Sequence, residues 1–135
     1  MEIKFIEWNN KYSVKSKYFD DQHQEIIEII NELHDHFNKN NPEHIKHLIF
    51  QLVEYANTHL KDEEKFFAII DFPLKEAHLK AHQFYIDEVK KIIAVINKNG
   101  IEDVNFEILK FLKEWWLTHI TEIDQKYAPY LPKYD

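Results

Sequence analysis

Seven residues spread over four apolar stretches have the types and spacing of a metal centre: His23, His59-x-x-x-Glu63, His78-x-x-x-His82, and His119 followed five residues later by Asp124. Residues four apart stack on one face of a helix. Here those faces otherwise carry Ile, Leu, Phe and Trp. Burying so many polar groups in a small core costs several kcal/mol unless something binds them together, and a metal centre does that. Imidazole and carboxylate without sulfur suit iron, with zinc or manganese as further candidates. Five imidazoles and two carboxylates exceed what one six-coordinate ion accepts, but they suit two ions. If Glu63 and Asp124 each bridge, together with a solvent-derived oxygen, the histidines divide three and two. One ion is then six-coordinate, and the other is five-coordinate with a position open to a small molecule.

The elements that must position these groups read as helices. From Asp20 or Asp21, a candidate N-cap, runs the stripe His23, Ile26, Ile27, Ile30, Leu33, Phe37. It stops in Asn38–Asn41. Pro42 suits a helix start and opens the stripe Ile45, Leu48, Ile49, Leu52, Ala56, His59, Glu63, Phe66/Phe67, Ile70. Asp71-Phe72-Pro73 breaks that run before Leu74, His78, Ala81, His82, Tyr85, Val89, Ile92, Ile96. Gly100, the only glycine, stands at the expected C′ position. The fourth stripe is Ile108, Phe111, Leu112, Trp115, His119, and Pro129 and Pro132 end it. Four helices of roughly 18–28 residues with short connections predict an all-α, antiparallel up-down-up-down four-helix bundle. Residues 1–18, with Phe5, Trp8, Tyr12 and Tyr18, read as an ordered N-terminal arm, the bundle spans about 19–127, and the whole of 1–135 reads as one domain.

Asp124 sets a condition on helix four. At about 100° per residue, five steps turn it about 140° away from His119. Both reach one site only if the helix carries a bulge or loses its regular winding between them; π-type distortions of that kind cluster at functional sites.

Composition narrows the function classes. The 135 residues include no cysteine, which excludes disulfides, thiolate zinc sites and thiol catalysis. A net charge of −7 arises with 17 lysines and no arginine, scattered among acids, so nucleic acid is not expected as a partner. No apolar run approaches ~18 residues and no signal peptide is evident, so no membrane association and a cytoplasmic location are expected.

The spaced set resembles the hemerythrin family, of the bacteriohemerythrin-like, single-domain kind. The resemblance runs through Glu7-Trp8-Asn9, Asp20-Asp21-Gln22-His23, His59-Leu-Lys-Asp-Glu63-Glu64, Phe72-Pro73, His78-x-x-x-His82 and Trp115-x-x-x-His119-Ile-x-x-x-Asp124. It implies two iron ions bridged by an oxo or hydroxo group, Glu63 and Asp124. His78, His82 and His119 would hold one iron, and His23 and His59 the open one, where O₂ binds. Relatives commonly carry Leu where this chain has Trp116, and Met where it has Phe67; both positions belong to the oxygen pocket in the family.

Reversible oxygen binding for storage, transport or delivery is therefore the leading expectation, with no enzymatic role, no catalytic residues and a monomeric chain. A di-iron oxidase, peroxidase or nitric-oxide-handling enzyme, oxygen or iron sensing, and metal homeostasis are the alternatives. Tyr127 and Trp115 are expected beside the ligands, Glu64 is expected on another face, solvated or capping, and His34, His36, His44 and His47 on the surface.

Overall fold

The computed structural model describes residues 5–38, 42–70, 72–100 and 106–131. Four helices carry the fold: α1 (Lys17–Asn38), α2 (Pro42–Ile69), α3 (Lys75–Asn99) and α4 (Phe106–Thr118). Consecutive helices are antiparallel neighbours. α1 packs on α2 and α4, and α2 on α3; rings of Tyr85 and Trp116 join α3 to α4. The expected four-helix bundle is the observed one.

The core follows most of the predicted stripes of α1 to α3, but Leu74 is exposed and Leu60 joins the core. In α4 the buried face carries Leu109, Leu112 and Trp116, while Ile108, Phe111 and Trp115 of the expected stripe are only partly buried. Ile26, Ile30, Leu33, Ile49, Leu52, Ala56, Leu60, Tyr85, Ile96, Leu109, Leu112 and Trp116 are all buried in one cluster. A second cluster of Val14, Phe19, Phe67, Phe72 and Tyr127 closes the other end. The histidines and carboxylates lie between them, so each apolar cluster walls one side of the polar centre.

The ends of the helices follow local chemistry. Gly100 terminates α3 at φ 78°, with its N–H donating to the Ile96 carbonyl at 2.8 Å, a conformation that costs a side-chain-bearing residue more than glycine. α1 begins at Lys17, earlier than Asp20 or Asp21 would place it. Ser16 Oγ accepts from the Phe19 N–H at 3.3 Å. Asp20 lies inside the first turn, where it accepts from Ser13 Oγ and, at 2.8 Å, from the Val14 N–H. The acid that reads as a cap therefore fastens the arm instead. That arm includes a single turn at Asn10–Tyr12. It is also held by Asn31, whose side chain both accepts from the Ile6 N–H and donates to the Ile6 carbonyl, each at 2.7 Å.

α4 keeps regular winding for only 13 residues, fewer than expected. From His119 to Ile123 it continues as a π-helical turn, closed by the Asp124 N–H on the His119 carbonyl. Neighbouring side chains occupy carbonyls in and just before this turn. Thr121 Oγ1 donates to the Leu117 carbonyl at 2.7 Å, and Gln125 Nε2 donates to the Ile120 carbonyl at 3.3 Å and to the Tyr12 and Ser13 carbonyls at 3.2 Å.

Candidate metal centre

All seven predicted residues meet in the middle of the bundle, each no more than 2% exposed. α1 supplies His23, α2 His59 and Glu63, α3 His78 and His82, and the π turn His119 and Asp124. The extra residue of that turn compensates the phase error of a regular helix, and Asp124 Oδ1 lies 2.9 Å from His119 Nε2. The distortion that spacing alone required is present.

The two carboxylates divide their oxygens between two sets of imidazoles. Glu63 Oε1 faces His82 Nε2 at 3.1 Å, His78 at 3.4 Å and His119 at 3.7 Å. Glu63 Oε2 faces His59 Nε2 at 3.3 Å and His23 at 3.9 Å. Asp124 repeats the division, with Oδ1 toward His78 at 3.2 Å and His119, and Oδ2 toward His23 at 2.9 Å. Two groups able to hold an ion result: Glu63, His78, His82 and His119; and His23, His59, Glu63 and Asp124.

Several of the polar atoms converge without satisfying one another. Both Asp124 oxygens and the Nε2 atoms of His78 and His119 are buried with no hydrogen-bond partner. His23 Nε2 and His59 Nε2 face each other at 3.1 Å. Ligands about 2.1 Å from an octahedral ion stand about 3 Å from one another at right angles, the spacing seen here. Close approach with no hydrogen bond, as at Asp124, His78 and His119, is the arrangement of a ligand shell, and this donor set fits a pair of ions.

Electrostatics say the same. Burial opposes charge on Glu63, yet His59, His119 and His23 hold its carboxyl well below the usual range. Burial and Glu63 both push Asp124 up, and His119 and His23 outweigh them and keep it ionised. Burial likewise opposes charge on His23 and His119, but the two carboxylates lift each to about 9. His59 moves the other way, because burial prevails over Glu63. Without a metal, protons on His23 and His119 stand in for positive ions.

Around the cluster, distal groups orient the rings. His59 Nδ1–H donates to Gln22 Oε1 at 2.5 Å, and Gln22 Nε2 donates to Asp62 Oδ2 at 2.9 Å, which also accepts from the Tyr18 hydroxyl at 2.7 Å. His82 Nδ1–H donates to Glu64 Oε2 at 2.9 Å. Such acceptors fix the tautomer and raise ligand basicity. Glu64 therefore belongs to the site, not to a solvated face, although its side chain is 39% exposed. Sequence reasoning also missed the roles of Gln22 and Asp62. The available signal was position: Gln22 and Glu64 are each next in sequence to a candidate ligand, and so face the neighbouring helix.

Tyr127 donates its hydroxyl proton to Glu63 Oε2 at 2.6 Å. Trp115 stacks on His119 with ring centroids 4.5 Å apart and planes 13° apart. Trp116 stands beside His59 and His119 at 5.9 and 6.0 Å. Phe67 packs on His78 at 4.7 Å, next to the three-histidine group. Of the two rings expected in an oxygen pocket, Trp116 therefore borders the two-histidine group. His36 and His44 stack on each other at 4.6 Å, away from the cluster.

The family described as Hemerythrin HHE cation binding domain matches residues 14–131. The chain belongs to the hemerythrin family. It is 29% identical over 121 residues to the bacteriohemerythrin of Pseudomonas aeruginosa strain PAO1, covering 90% of this chain and 78% of that one. Its identity to the bacteriohemerythrin of Methylococcus capsulatus is 29% over 117 residues, with 84% and 86% covered. The wild-type hemerythrin crystal structure superimposes with a TM-score of 0.86 at 24% identity, covering 93% of this chain and 96% of that one. That likeness establishes the fold this hemerythrin adopts. Among the described residues no helix is long and apolar enough to cross a membrane.

Proposed function

We propose that this hemerythrin binds dioxygen reversibly at a non-haem di-iron centre, for storage, transport or delivery. The observation that carries the reading is the division of the two carboxylates: Glu63 turns one oxygen toward His78, His82 and His119 and the other toward His23 and His59, and Asp124 turns one toward His78 and His119 and the other toward His23. His78, His82 and His119 would hold one iron and His23 and His59 the other, with Glu63 and Asp124 shared by both. When bound, the iron pair supplies two electrons and one open position for O₂ on the two-histidine side.

The chain's own residues supply the conditions for reversibility. Trp116, Ile120, Phe67 and Tyr127 are fully buried around the centre and exclude water. Tyr127 holds its proton, since burial and then Glu63 raise its hydroxyl well above the ordinary value. No polar group in this wall is poised to give up protons freely to a bound ligand, which disfavours catalytic turnover. The imidazole-rich shell carries less negative charge than a carboxylate-rich one and stabilises high-valent iron less.

The test is to load the protein with iron, reduce it anaerobically and admit oxygen through repeated cycles. A visible charge-transfer band that appears with O₂ and fades on its removal supports the proposal. Immediate, irreversible oxidation would replace it with a redox enzyme or sensor, and the absence of any iron-dependent band would remove the metal assignment.

A further inference from the structure

Among the described residues, six rings that are not ligand candidates pack against the histidines of the centre. Phe19, Phe67, Phe72, Trp116 and Tyr127 are buried, and they meet those imidazoles tilted or edge-on, with interplanar angles from 42° to 80°. Trp115 differs in both respects. It lies nearly parallel on His119, and among these rings it is the one that is only partly buried. On its inner side Tyr85 packs at 4.3 Å and Trp116 at 4.9 Å. The Trp116 Nε1–H donates to the Tyr85 hydroxyl at 3.0 Å, which locks that inner pair. The indole is thus held in place by buried neighbours and opens toward solvent.

Parallel rings in van der Waals contact overlap their π systems, and electron tunnelling through such a stack decays less than across the same gap between saturated groups. Oxygen binding has no need of this arrangement. We propose that Trp115 is an electron port, through which a one-electron carrier at the surface returns the oxidised centre to its oxygen-binding form. The inference rests on the di-iron reading above. Two carriers are each oxidised by one electron, each electron crosses the indole of Trp115 and the imidazole of His119, and two ferric ions are reduced to ferrous. The indole is a conduit and undergoes no net change. Any proton taken up comes from solvent.

The experiment compares the iron-loaded protein with Trp115→Phe and Trp115→Leu, using reduced methyl viologen as the carrier and following loss of the diferric absorption after anaerobic mixing. The leucine variant is expected to reduce an order of magnitude more slowly with an unchanged reduction potential, and the phenylalanine variant to retain most of the rate. A second readout is independent of oxygen binding. Flash oxidation by a ruthenium tris-bipyridine sensitiser should produce an indole radical that Trp115→Phe diminishes. That radical should decay rapidly in the diferrous protein, where iron returns the electron, and persist in the metal-free protein. Equal reduction rates in all three proteins, a slow rate explained by a shifted potential, or a radical lifetime indifferent to iron would overturn the port. Failure of the wild-type chain to load iron or to colour with O₂ would instead remove the functional reading beneath it.

Discussion

Glu64 and Gln22 give the two histidine groups different outer partners. His82 faces a carboxylate and His59 an amide carbonyl, so His82 is the more strongly polarised donor. Glu64→Gln keeps the shape and removes the charge; iron affinity is expected to fall about 10–100-fold, read by chelator competition. Tyr127→Phe tests the opposite side of the centre. It removes a hydrogen bond to a buried carboxylate, worth about 1.5–3 kcal/mol, and denaturant unfolding of the metal-free protein should show the loss. In the loaded protein the same change leaves Glu63 Oε2 fully available to the two-histidine side, so the charge-transfer band should shift; an unmoved spectrum would mean the tyrosine only packs. The inward residues were readable because periodicity fixes which face a side chain takes. Glu64 was not, since a single helix does not reveal where its neighbour lies. Only when α3 is placed beside α2 does the residue after Glu63 meet His82.

At the scale of elements, the π turn was legible for a related reason: rotation per residue is known, and a five-residue spacing conflicts with it. The start of α1 was not legible, because the partners of Asp20 are Ser13 and Val14 in the arm, and a cap and a clasp use the same residue type. The boundary of the fourth helix followed from the turn that interrupts it. Gln125 is the side chain through which this turn and the arm hold each other. Gln125→Ala strands the carbonyls of Tyr12, Ser13 and Ile120 without that donor. The expected cost is about 1–2 kcal/mol by urea unfolding, with faster proteolysis near residues 9–16. If stability and proteolysis are both unchanged, water replaces the amide fully and the clasp is ornamental.

At the scale of the molecule, proton and metal compete for one centre. His23 and His119 are raised from 6.5 to about 9 in the metal-free fold, so each keeps its proton below that value and must lose it to become a ligand. Metal uptake should release protons, and apparent affinity should climb as pH rises from about 6.5 to 9. Chelator competition in lightly buffered indicator measures both; uptake without proton release would contradict the charge distribution described here. The metal-free fold responds in the reverse sense. The contribution of these raised histidines is complete below 6.5 and disappears as pH passes about 9. The depressed carboxylates contribute above their ordinary range and lose their contribution as pH falls through their lowered values. Metal-free stability should therefore peak in mildly acidic solution and loaded stability at higher pH. The candidate ligands come from all four helical segments, from residue 23 to residue 124, so the ions would join parts of the chain that are remote in sequence. Each ion would close several loops at once, making the pair a set of removable cross-links. The melting temperature would then be a function of free metal, and a calorimeter would report occupancy of the centre as surely as its colour would.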